Sequence, residues 1–150
     1  MKSRMLFAAV LASLLVLSII PKLSVPAVHA QGSSCTLATL TGGYGFSATG
    51  FNPINTKTRS SAPQPPASDV GLITFDGAGN FSTSFTDVNN GGGTPFTDTG
   101  TYTVNSDCTG SFHLEGLDIH LQTVIVGGGT EVLSTITDPG LIRTADYKKQ

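Results

Sequence analysis

Residues 70–88 read VGLITFDGAGNFSTSFTDV. Two runs of largely alternating apolar and polar side chains flank Asp76-Gly77-Ala78-Gly79. A period of two marks an extended strand whose successive side chains point to opposite faces. The Asp and Gly residues between the runs supply the backbone freedom of a tight reversal. The segment therefore reads as an antiparallel hairpin. Only Asp76 and Asn80 bring side-chain oxygens to the turn, too few for a calcium loop of the EF-hand kind.

The same unit recurs along the chain. Strands are expected over 43–49, 70–75, 80–88, 100–104, 110–115, 118–126, 131–137 and 141–147, with Gly-, Asn- or Asp-containing connections between them. No stretch after residue 30 sustains a helical period. Short connections favour antiparallel neighbours over crossovers. A meander of this kind must hide its edges, and closing on itself does so. The expected fold is all-β, a single antiparallel meander closing into a barrel of about eight strands, with a β-sandwich as the alternative. The interior of such a barrel is either filled by side chains or holds one small ligand.

One connection is long. Residues 52–69, NPINTKTRSSAPQPPASD, hold four prolines and few apolar side chains. They read as a Pro-rich loop, either a solvated excursion or a lid over one end of the sheet. Tyr44, Phe46, Phe51, Phe75, Phe81, Phe85, Phe96, Tyr102 and Phe112 are the expected core aromatics.

The amino terminus carries a different signal. Lys2 and Arg4 precede an apolar run ending at Ile20, Pro21 breaks it, and Val28-His29-Ala30 offers small residues at a cleavage site. This is the pattern of a secretory signal peptide over residues 1–30, and the run is shorter than the roughly 20 residues a membrane span needs. Residues 31–150 then form one domain, secreted or periplasmic, with no membrane attachment once the signal is removed. In that domain ten carboxylates face five Lys and Arg, which excludes the basic surface of a nucleic-acid binder.

Cys35 and Cys108 both lie beyond the signal peptide. An even cysteine count in an exported chain reads as a disulfide, with two free buried thiols as the alternative. The bridge would tie the start of the domain to the turn Asn105-Ser106-Asp107.

The sequence HLEGLDIH, 113–120, is the most specific local feature. If Gly116-Leu117 is a two-residue turn, Glu115 faces Asp118 and His113 faces His120. Period two then puts His113, Glu115, Asp118 and His120 on one face. Two opposed carboxylates repel, and a divalent metal, Zn²⁺ or Ca²⁺, would relieve them. The alternative is a solvated hairpin end screened by water. No G-x-S-x-G, H-E-x-x-H or Cys-x-x-Cys occurs, so no catalytic residue is assigned.

LTGGYGFSATG (40–50), GLITFDGAGNFS (71–82) and TGTYTVNSDCTGSF (99–112) together resemble a group of small secreted bacterial proteins, found as paralogues in acidobacteria and other soil bacteria. The group is largely uncharacterised. Its architecture is similar to the allene-oxide-cyclase and dirigent barrels. The resemblance implies a secreted β-barrel and supports the Cys35–Cys108 pair, and it carries no activity or site residues across. The functional expectation is a non-enzymatic module binding a small ligand or an extracellular component. The alternatives are a structural extracellular or matrix protein, and a barrel enzyme or metal-binding protein using the 113–120 hairpin.

Overall fold

A computed structural model describes residues 34–51, 65–89 and 91–150. The expected signal peptide and most of the Pro-rich loop, 52–64, lie outside the described residues. Eight strands form: β1 (Thr41–Phe51), β2 (Pro66–Asp76), β3 (Asn80–Asn89), β4 (Gly92–Val104), β5 (Thr109–Leu114), β6 (Ile119–Val126), β7 (Glu131–Ile136) and β8 (Ile142–Lys149). Each pairs antiparallel with the next, and β8 pairs back onto β1 to close the barrel. The meander is a barrel, not a sandwich. Among the described residues no helix is long and apolar enough to cross a membrane.

Two strands start earlier than their composition suggests. β2 takes in Pro66 to Asp69, which the Pro-rich pattern assigns to the loop. Pro66 is the first residue of its strand, a position where proline is tolerated, and among the described residues its ladder partner is Phe51. β4 starts at Gly92 instead of near residue 100, because Gly92 to Thr99 pair with Ser82 to Asn89 of β3. Glycines that look like loop in isolation are held here by a partner strand.

Alternate side chains of every strand face the lumen. The lumen divides into two halves. In one, Tyr44, Phe75, Tyr102, Phe112 and Tyr147 pack ring against ring, with centroids 5.1 Å apart for Phe75–Tyr102, 5.2 Å for Phe75–Phe112 and 5.8 Å for Phe112–Tyr147. Each such contact adds roughly 0.5–1.5 kcal/mol beyond the area it buries. This end carries the 77–79, 105–108 and 127–130 connections. It is sealed by the segment before β1, a single 3-10 turn, Leu37–Thr39, flanked by buried Cys35 and Leu40. The Tyr102 hydroxyl meets the Leu37 and Leu40 carbonyls, each at 3.0 Å, and the Tyr44 hydroxyl donates to the Gly129 carbonyl.

Cys35 and Cys108 are joined, with Cα atoms 5.0 Å apart. The bridge explains a thiol in the β4–β5 turn, because it fastens the plug to the barrel rim. Cys108 adopts a left-handed backbone, φ 67°, which costs a residue other than glycine roughly 1–2 kcal/mol. Its N–H donates to the Asn105 carbonyl at 3.0 Å, and its own carbonyl accepts from Ile125 at 2.8 Å. Of the expected core aromatics, Phe51 is the one that lies outside the lumen. It ends β1 at the rim and stands 46% exposed.

Candidate functional site

Among the described residues, the other half of the lumen is open. Here the connections are those after β1, β3, β5 and β7. A cavity of about 190 Å³ lies inside this half, floored by Phe81 and Phe112 and walled by Phe46, Phe85, Phe96 and Ile136. Leu117 and Leu141, from the β5–β6 and β7–β8 connections, sit at its mouth. Phe46, Phe85 and Phe96, expected as core, are thus cavity wall.

One charged group is set into this apolar wall. Arg143 of β8, Asp69 of β2 and Asp87 of β3 meet inside the barrel, and the three side chains are 12%, 8% and 15% exposed. The Arg143 guanidinium donates through Nη1 to Asp69 Oδ2 and through Nη2 to Asp87 Oδ1 at 2.9 Å. Asn89 Nδ2 donates to the other Asp87 oxygen. To reach these partners Arg143 passes over β1, where the inward positions are Ala48 and Gly50. A Cβ on Gly50 would lie 2.8 Å from Arg143 Cγ and 1.9 Å from the Ile142 carbonyl oxygen. Glycine at 50 is therefore required by the close approach of the β8 backbone, and it also leaves room for the stem of Arg143.

Asp69 and Asp87 are direct cross-strand partners, so two carboxylates share one guanidinium. Among the described residues, Asp69 Oδ1 is buried without a hydrogen-bond partner. Burial, followed by the neighbouring Asp87 carboxyl, pushes the Asp69 pKa up to about 6, against the pull of Arg143. The unfolded chain titrates near the ordinary aspartate value of about 3.9. Between these values the folded state holds a proton that the unfolded state has lost. Stability should accordingly fall as pH rises from about 4 to about 6. Asp69→Asn should flatten that slope in denaturant titrations across the window. An unchanged slope in the variant would place its origin elsewhere.

The expected hairpin site lies on the outer surface at the same rim. The ladder register is as the spacing predicts, with His113 opposite His120 and Leu114 opposite Ile119. The connection differs. Residues 115–118 form a four-residue turn, so Glu115 and Asp118 are not ladder partners. The reason is Asp98 of β4, whose carboxylate accepts from the Gly116 N–H at 2.9 Å and the Leu117 N–H at 3.1 Å. A Cβ on Gly116 would come within 2.7 Å of Asp98 Oδ1, so a larger residue there would push the Asp98 carboxylate away from its two donors.

The consequence for the four candidate ligands is a separation. His113, Asp118 and His120 each offer an atom within 4.8 Å of the others, and exposed Glu115 is not among them. The two imidazoles stack 4.3 Å apart and 5° from parallel. His113 Nε2 lies 3.3 Å from Asp118 Oδ1. A residue not anticipated from the sequence completes the group. Asp138, from the β7–β8 connection, accepts the His120 backbone N–H at 2.6 Å and faces its Nδ1 at 3.0 Å. The backbone donor of His120 holds the Asp138 carboxyl below the usual carboxylate range.

Asp69, Asp87 and Arg143 carry no local motif, yet a signal exists. Counting back in steps of two from Phe75 reaches Asp69, and counting forward from Phe81 reaches Asp87. Both carboxylates are thus in phase with the core residues of their strands, which a solvated residue has no reason to be. The chain offers no shortcut to the ligand by likeness, since no protein-family model, no curated protein and no solved structure matches it.

Proposed function

We propose that this protein is an exported, non-enzymatic barrel that holds a small, largely apolar molecule in the open half of its lumen. The observation that carries this reading is the cavity of about 190 Å³, lined mainly by apolar and aromatic side chains, with Asp69, Asp87 and Arg143 as its charged groups and Thr83 and Thr144 beside them. A filled interior would have favoured a purely structural role. A cavity of roughly 150 Å³ accommodates benzene, so the occupant is a molecule of one or two rings. The unpartnered Asp69 oxygen favours an occupant with a hydroxyl or amine donor. Export rests on the amino-terminal pattern. The disulfide fits an oxidising compartment, periplasmic or extracellular.

The test is a thermal-shift and calorimetric panel of phenol, benzyl alcohol, benzylamine and indole at millimolar concentration. A binder present at ten times its dissociation constant stabilises by about 1.4 kcal/mol. For a domain of this size that raises Tm by several degrees. Ala145→Leu, which fills the cavity from its wall, should abolish the shift while the protein stays folded. A panel without any binder, together with an Ala145→Leu variant as stable as the parent, would leave the structural reading in its place.

A further inference from the structure

We propose that His113, His120 and Asp118 form a Zn²⁺ site on the outer rim of the barrel, with Asp138 as its positioning residue. The site is independent of the lumen and of the ligand reading above. Three features carry it. First, the β5–β6 register fixes the two imidazoles side by side, 4.3 Å between centroids, with no other side chain interposed between the stacked rings. Second, the four-residue turn returns Asp118 over the pair, so that two nitrogens and one carboxylate oxygen lie within 4.8 Å of one another. Third, Asp138 grips His120 at two points, its backbone N–H and its Nδ1. An ionised carboxylate against Nδ1 requires the proton there, which leaves Nε2 with its lone pair for a metal. A carboxylate behind a histidine in this way is the usual outer partner of a zinc ligand.

The donor set selects the ion. Two imidazoles and one carboxylate suit Zn²⁺, which bonds nitrogen at about 2.0–2.1 Å and takes three protein ligands plus one open position. Ca²⁺ wants six to eight oxygens, and with Glu115 outside the group the site supplies too few. Closing three atoms from 4.8 Å to the separation of tetrahedral ligands takes movement of about 1 Å. The side chains have that freedom, with His113 at 37%, His120 at 51% and Asp118 at 85% exposure. Binding through His113 Nε2 needs the lone pair there, so the neutral ring would carry its proton on Nδ1 and give up its contact with Asp118 to the ion.

The experiment is calorimetric titration of Zn²⁺ into purified protein without a polyhistidine tag, followed by Co²⁺ with its visible spectrum as the readout of coordination. One equivalent should bind, and Co²⁺ should give the absorption of a four-coordinate ion. His113→Ala and His120→Ala should each abolish binding with Tm in chelator unchanged. Asp138→Asn should weaken Zn²⁺ about 10–100-fold, and Glu115→Gln should leave it as it is. No heat at millimolar Zn²⁺ overturns the proposal. So does a stoichiometric site that survives both histidine substitutions, because that ion sits elsewhere.

Discussion

Arg143→Met should destabilise the protein by about 3–5 kcal/mol at pH 7.5, the penalty for leaving buried charge without its counterion. The substitution keeps an unbranched apolar stem, shorter than that of Arg, and removes the guanidinium. Asp69 and Asp87 would then face each other across β2 and β3 with nothing between them to neutralise either. The loss should shrink on acidification to pH 5, because protonating Asp69, whose pKa burial pushes up to about 6, removes the repulsion. A triple variant, Arg143→Met with Asp69→Asn and Asp87→Asn, should recover most of the stability. Urea titrations at both pH values decide the matter. A triple variant no more stable than the single one would show that packing, not charge, sets the cost.

Removing the disulfide should have an effect of the same order. The bridge closes a loop with a sequence separation of 73 residues. On the chain-entropy account that constraint is worth about 4 kcal/mol, which for a domain of this size lowers Tm by on the order of 15 °C. Cys35→Ser with Cys108→Ser and chemical reduction of the parent should give the same midpoint. The folded barrel itself should persist, because Leu40 remains in the core and Tyr102 still meets the plug carbonyls. A midpoint that does not move on reduction would mean that the plug segment is already constrained in the unfolded chain.

What could be read from the sequence divides along physical lines. Period-two patterning and turn chemistry are local, and they locate all eight strands, the meander order and the His113–His120 register. Features that depend on a partner strand are less legible. Gly92 and Gly93 lack any intrinsic preference for a strand and gain one from Val88 and Asn89 across the ladder. Pro66 reads as loop because its place at the start of β2 is visible only once Phe51 is beside it. The turn after Leu114 was misread as two residues because Asp98, which fixes it, stands far upstream in the chain. The lumen group is the extreme case. Asp69 and Asp87 share a hairpin, but Arg143 comes from β8 far along the chain, and only the phase of the three with the inward-facing residues betrays the group.

Barrel closure has a kinetic consequence. β1 pairs with β8, so Ser47 waits for Asp146, about a hundred residues further along the chain. Seven strands can zip up hairpin by hairpin, but the seam forms last and against the full entropy of that separation. Topologies dominated by such long-range pairings fold in milliseconds to seconds, where local ones take microseconds. Until β8 docks, β1 shows a bare row of N–H and C=O groups beside an unsealed lumen that exposes Phe46 and Phe85. During biosynthesis that interval lasts until Lys149, which ends β8, has been made, and in it the protein is most open to self-association or to capture by a chaperone.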